Sequence, residues 1–370
     1  KVLNNPLVYI WGKLFLVFCL CITMFFVNKI VKKITGDVNS AKWAMFLLAS
    51  SVFIYIGVYY GGQNDIVICA FATAAVYCLM DGRNKWFYFL AGMAISVKYF
   101  FFIPYVAIIL LLEKRVLRII YKIVLGIIPT GIYWLITRAC PMVSESALQG
   151  SPISVLLKEM VGGAFPVVYN NSISLFIGML LILYILAYLT SPQNDDEKYR
   201  YVIYYIVATS LAMLLFSIFQ YYRVVMVCPF IAILMVIDKE KYRINVIMET
   251  IISISLFIIL IIQSGAYLFV SRVINKNVLK FVFGTSGVEG YFSLGMDISR
   301  WISNDMLTIL LQIFATVVVI LSIFILVLNY PRAKLEFLDI PSIKMERWIY
   351  WVRTLVVVIP VFYVLGRMIV

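Results

Sequence analysis

Apolar runs long enough to cross a lipid bilayer recur from one end of this chain to the other, and no other feature limits its folds so severely. A helix needs about 20 mainly apolar residues to span roughly 30 Å of hydrocarbon, where every backbone N–H and C=O must be satisfied internally. Helices and closed barrels alone meet that demand. A barrel would show short alternating strands rather than long continuous runs, which leaves helices. Of the 370 residues, 64% are hydrophobic and 13% charged, whereas a soluble domain carries about a quarter charged residues. With a mean hydropathy of +1.01, the chain has too much apolar surface for one water-facing core. The predicted fold class is all-α, a polytopic membrane helix bundle of about 10–12 membrane segments, with residues 1–370 forming a single transmembrane domain.

The apolar segments run 8–30, 45–59, 66–79, 86–97, 99–112, 116–137, 172–189, 201–219, 224–237, 247–270, 307–328 and 348–368. The three between 66 and 112 are too short for straight crossings and are expected to pack inside the bundle as short or re-entrant helices. The links 29–42, 83–85, 113–122, 198–200, 239–243 and 332–353 hold about 20 of the 31 basic residues. Placed in the cytoplasm, they satisfy the positive-inside rule. Alternation then puts 1–6, 61–65, 140–171, 220–223 and 271–305 outside, provided that 86–97 and 99–112 form one in-out hairpin. The opening residues, Lys1 to Pro6, read as the tail of a loop, so a helix is expected upstream of them. Two outer stretches are long, 140–171 with an amphipathic run at 155–161, and 271–305. Long loops tend to carry function. The working face is therefore expected outside, in a multi-pass protein of the plasma membrane.

The net charge of +13 invites a nucleic-acid partner, but the basic residues are scattered singly between apolar runs. That is the distribution of a topology signal, not of a phosphate-tracking stripe, so no nucleic acid is expected. Six cysteines (Cys19, Cys21, Cys69, Cys78, Cys140, Cys228) show no metal-ligand spacing, and all but Cys140 lie in apolar runs as small core hydrophobes. The chain has no histidine, which removes Ser-His and Cys-His nucleophiles and the common zinc sites. Neither a phosphate-binding loop nor a dinucleotide fingerprint is present, so an ATP-driven pump is not expected.

Two stretches hold the polar chemistry. The first is Gly61-Gly62-Gln63-Asn64-Asp65, followed by Asp81-Gly82-Arg83, Ala91-Gly92, Lys98 and Pro104. Asp65 and Lys98 bracket a helix pair that returns the chain to one membrane side, so both can approach one cavity on the outer face. Ionisable groups at membrane depth are costly and usually line a cavity or pair with each other. A purely structural Asp65–Lys98 ion pair, or a Lys98 that snorkels to the interface, fits the spacing equally well. The second stretch is Gln220-Tyr221-Tyr222-Arg223 before Pro229. Aromatic residues there suit an interfacial belt, and the Arg223 guanidinium is shaped to grip a phosphate bidentately.

In their order, Gly62-Gln63-Asn64-Asp65, Ala91-Gly92, Lys98 and Pro104 resemble the Gly-Gln-x-Asp…Ala-Gly…Lys…Pro region of the GT-C superfamily of membrane glycosyltransferases. The likeness is closest to their polyprenol-dependent mannosyltransferase branch, whose later Gln-Tyr…Pro stretch is similar to Gln220-Tyr221-Tyr222-Arg223 and Pro229. Asn5-Pro6 leading into 8–30 resembles the end of the first outer loop entering the second helix. The resemblance covers residues 1–235, a GT-C-like core lacking its first helix and most of its first outer loop. Residues 236–370 add C-terminal transmembrane helices with an outer loop at 271–305.

The resemblance implies a glycosyltransferase that moves a sugar from a polyprenyl-phosphate donor to a lipid-linked glycan or other acceptor on the outer face. In the family an acidic residue of the first outer loop serves as general base; that loop is expected upstream of Lys1 here, so the catalytic residue stays unnamed and Asp65 takes a supporting role. Substrate contacts fall to Gln63, Asn64, Lys98, Gln220, Tyr221, Tyr222 and Arg223, with Lys98 and Arg223 as the phosphate clamp. The chemistry requires no dedicated metal cluster, and a carboxylate-bound Mg²⁺ or Mn²⁺, as in some relatives, stays open. Membrane lipids, the lipid-linked donor and the acceptor are the expected partners. A polysaccharide polymerase or ligase, recruiting Arg138, Arg272 and Arg300, and a lipid or glycan transporter are the alternatives. A non-catalytic membrane scaffold is a further one.

Overall fold

The computed structural model describes residues 6–60, 64–139, 164–166, 172–216, 221–263, 298, 300–331 and 347–369. Thirteen α-helices account for nearly all of them. The first, α1 (Pro6–Thr35), has proline at its first position, where no backbone donor is needed, and Lys32 and Lys33 in its last turn, where the helix dipole favours cations. Gly36 stops it with φ +67°, a left-handed backbone that glycine adopts without strain. Asp37 then caps α2 (Val38–Ala49) by accepting from the N–H groups of Asn39 and Ser40. The link between these helices is two residues long. Most of the basic stretch 29–42 is helical.

Residues 45–59, read above as one segment, are broken. The chain turns extended at Ser51 and resumes as a single turn, α3 (Val52–Ile54), which widens into a π-helical turn over Tyr55–Tyr60. Beyond it α4 (Asp65–Met80) and α5 (Asn84–Val97) form a hairpin about Gly82, whose φ is +74°. Lys98 is extended (φ −154°), and the chain re-enters a 3-10 turn (Tyr99–Phe101) and α6 (Phe102–Leu112). Of the three short helices expected inside the bundle, α4 and α6 are largely buried, whereas α5 buries one face and turns Trp86 and Phe89 outward. Next come α7 (Val116–Ala139), a two-stranded antiparallel ribbon (β1, Ala164–Pro166; β2, Ser172–Ser174) and α8 (Leu175–Leu189). The chain continues through α9 (Asp195–Phe216), a 3-10 turn (Tyr221–Met226), α10 (Cys228–Ile237), α11 (Tyr242–Gln263), α12 (Asn304–Leu328) and α13 (Arg347–Ile369). The ribbon lies in and beside the stretch 140–171, which is read above as an outer loop. The amphipathic run 155–161 lies outside the described residues, as does nearly all of 271–305.

Helices α9 and α10 form the centre and are buried on all sides. Around them α4 packs between α1 and α5, α6 lies on α9, and α2 lies on α1 and α10. The outer surface is apolar, with Trp11, Phe18, Leu117, Leu135, Leu181 and Ile320 all turned outward. Among the described residues five helices are long and apolar enough to cross a membrane and four apolar helices are shorter, of which α8 lies on the outer surface. A helix that is apolar all round is stable only inside protein or lipid, so the molecule is a polytopic helix bundle. Cys19, Cys69 and Cys228 are core residues as expected, but Cys21 faces outward.

The basic links collect at one end of the bundle. Lys33 pairs with Asp81 at 3.0 Å, Lys239 with Asp37 at 3.1 Å and Lys122 with Glu113 at 3.0 Å. Tyr199 donates to the Met80 carbonyl at 2.8 Å, and the Lys114 ammonium donates to the Thr190 carbonyl at 2.8 Å. Asn245 and Asn329 exchange two amide hydrogen bonds (3.0 and 2.8 Å) that join α11 to α12, and Tyr242 and Tyr350 share one at 3.1 Å. Successive helices thus run alternately towards and away from this basic end.

Close helix packing positions the opposite end. A methyl group added at Gly92 of α5 would lie 2.5 Å from Pro129 Cγ and 2.7 Å from the Gly126 carbonyl oxygen, and one at Gly126 would strike the Tyr105 ring at 2.5 Å. Gly92→Ala is expected to destabilise by about 1–3 kcal/mol, because backbone and a proline ring cannot swing aside. Gly178→Ala on α8, which meets open space, should be neutral or slightly stabilising through helix propensity. Thermal melting in detergent separates the two.

Candidate functional site

At the end remote from the basic links, three charged side chains meet. Asp65 opens α4, where a carboxylate also suits the positive end of the helix dipole. Lys98 occupies the extended residue between α5 and the next 3-10 turn. The α4–α5 hairpin brings them together, and the Lys98 ammonium donates to Asp65 Oδ1 at 2.6 Å. Asp65 is 0% exposed and the Lys98 side chain 23%. Arg223, on the 3-10 turn before α10, is 5% exposed. Its guanidinium stacks over the Phe100 ring at 4.2 Å, two residues beyond Lys98, and its charge acts on the Asp65 carboxylate. That turn is held to α4 by the Cys69 thiol, which donates to the Val225 carbonyl at 3.3 Å.

Among the contacts of the described residues, one carboxylate faces two cations, a balance of charge that suits an anion. Asp65 Oδ1 is engaged by Lys98, whereas Oδ2 is buried and has no hydrogen-bond partner among the described residues. A buried orphan acceptor is uncommon and calls for an explanation. An incoming hydroxyl or amide donor would satisfy it.

The other expected contacts divide as follows. Asn64 is exposed in the turn that precedes α4, where its carbonyl accepts from the Val67 N–H at 2.9 Å. Tyr221 and Tyr222 lie on the same 3-10 turn as Arg223. Gln63 and Gln220 lie outside the described residues. No group of three or more acidic or cysteine side chains gathers among the described residues. Asp65, flanked by two cations, does not fit the Mg²⁺ or Mn²⁺ that some GT-C enzymes use.

The chain matches no protein-family model, no curated protein and no solved structure.

Three charged residues escaped sequence reasoning. Lys13 of α1 reaches the π-helical turn, where its ammonium donates to the Val58 carbonyl at 3.4 Å. Such turns are frequent at functional sites, and a lone lysine in an apolar helix was the available signal. Glu249 of α11 and Arg353 of α13 form a second, wholly buried ion pair. Arg353 is counted above with the basic link 332–353, yet it lies inside α13 and is 1% exposed. Its guanidinium also donates to Thr250 Oγ1 at 3.0 Å and to the Leu47 carbonyl at 3.2 Å. Ser51 and Ser253 donate to Glu249 Oε1 at 3.3 and 3.0 Å. The cluster fastens α11 and α13 to α2 and to the break at Ser51. The arginines recruited for a ligase are placed less suggestively. Arg138 is exposed and stacks on Trp134 of its own helix at 4.3 Å, Arg300 is exposed, and Arg272 lies outside the described residues.

Proposed function

We propose that this protein is a GT-C-type glycosyltransferase, which moves a sugar from a polyprenyl-phosphate donor to a lipid-linked glycan or similar acceptor. The observation that carries the proposal is the cluster of buried Asp65 and Arg223 with the partly exposed Lys98 at the end of the bundle opposite the basic links. By the positive-inside rule the basic links face the cytoplasm and the cluster faces outward, where sugar nucleotides are scarce and lipid-linked donors are at hand. The apolar flanks of the helices offer the polyprenyl tail a lateral path.

In the transfer the acceptor hydroxyl forms a bond to the anomeric carbon, and the bond from that carbon to the phosphate oxygen breaks. The hydroxyl proton passes to a carboxylate base, which in the GT-C enzymes that the chain resembles belongs to the first outer loop. Polyprenyl phosphate departs with the electron pair. Lys98 and Arg223 hold that phosphate and neutralise the charge it gains. Asp65 positions Lys98 through their ion pair.

Binding tests the clamp without turnover. Arg223→Gln should weaken retention of a polyprenyl-phosphate sugar in nanodiscs by about tenfold or more, the scale of one lost charge-assisted hydrogen bond. Arg223→Lys should recover part of it. Unchanged affinity in a Gln variant that melts like the parent would remove Arg223 from the clamp.

A further inference from the structure

We propose that the groove between α2 and α13, at the basic end, is a binding site for an anionic phospholipid. The groove encloses about 510 Å³ and is lined by Asn39, Lys42, Trp43, Phe46, Tyr350 and Trp351. Asn39, Lys42, Trp43 and Phe46 stand three, four and seven residues apart along α2, which places them on one face of that helix. Trp43 stacks against Tyr350 at 5.3 Å with the rings 16° apart, which gives the groove an aromatic floor. Trp351 is 66% exposed and Phe46 is also turned outward, and these two form open apolar walls.

The polar and apolar parts are ordered along the bundle axis. Asn39 and Lys42 lie in the first turns of α2, nearest the basic end. Phe46 lies about 6 Å deeper by helical rise. A phospholipid has the same order, with an anionic phosphate at the surface and acyl chains below. Tryptophan and tyrosine at this level belong to the membrane interface.

Charge selects the lipid class. The cations nearest this face of α2 that have carboxylate partners are Lys33 with Asp81, Lys239 with Asp37 and Lys241 with Asp238. Lys42 is exposed and has neither an ion pair nor a hydrogen bond among the described residues. The neighbouring hollow on the other side of Trp43 contains the Lys239–Asp37 pair and is already neutral. An unneutralised ammonium over an aromatic groove favours a net-negative headgroup, because a zwitterionic lipid brings its own cation. The groove lies at the opposite end from Asp65, Lys98 and Arg223 and does not depend on a transferase role.

The test uses the full-length protein purified in mild detergent, titrated with phosphatidylglycerol or phosphatidylcholine and followed by native mass spectrometry. Wild type should retain phosphatidylglycerol in preference to phosphatidylcholine. Lys42→Ala should reduce that retention by about fivefold, the worth of one cation near a lipid surface. Lys85→Ala removes an exposed lysine of the same end outside the groove and should leave retention unchanged. Trp351→Ala should weaken retention with no change of charge. Equal loss from Lys42→Ala and Lys85→Ala would reduce the effect to general surface charge and overturn the site. So would retention that survives both groove substitutions.

Discussion

Arg353→Met should cost about 3–5 kcal/mol of stability, the largest loss expected for any single substitution in this bundle. Glu249 would then be left in the buried core with only hydroxyl donors, from Ser51 and Ser253, in place of a guanidinium. Removing one partner of a buried pair is costly because it leaves the other charge uncompensated, whereas replacing both by apolar or neutral groups is often close to harmless. The double variant Glu249→Gln/Arg353→Met should therefore recover most of the loss and show strong coupling in a double-mutant cycle. Melting in detergent reads all three proteins. A single variant as stable as wild type would mean that water reaches the cluster.

Asp65→Asn is expected to act the other way, with a small change in melting and a large one in turnover. Lys98 is partly exposed, so its ammonium can find water when the carboxylate charge is gone, an escape closed to Glu249. The variant loses the charge that holds Lys98 in place, and Lys98→Ala removes the cation itself. In each, transfer should fall by roughly 10²–10³, the usual effect of deleting one preorganised electrostatic stabiliser. If Asp65–Lys98 is only a structural pair, both substitutions will lower the melting temperature while transfer per folded molecule stays near normal.

The features legible in the sequence are those fixed by local pattern. Runs of apolar residues gave the helices, and the turn at Asp81-Gly82-Arg83 gave the α4–α5 hairpin. That hairpin alone brings Asp65 to Lys98 across 33 positions. The sorting of basic links to one end followed from their alternation along the chain. What was hidden depends on how helices are rotated about their axes, which one sequence does not display. Glu249 and Arg353 are 104 positions apart, and each looks like a residue near a helix end until α11 and α13 are packed. The break at Ser50-Ser51 contains no proline or glycine, and Ser51 is held by Glu249 from a distant helix. Lys13 was passed over because its neighbours are uniformly apolar. Arg223 was singled out for its guanidinium, but its seat on Phe100 arises only when the turn before α10 folds against the residues after Lys98.

The choice of sugar donor tests the central claim most directly. Full-length protein would be reconstituted in liposomes and offered a radiolabelled sugar either on a polyprenyl phosphate or on a nucleotide, with a lipid-linked glycan as acceptor. Label should pass from the polyprenyl phosphate alone, and Lys98→Ala should suppress it. Efficient transfer from the sugar nucleotide, with none from the lipid-linked donor, would contradict both the phosphate clamp and the GT-C assignment.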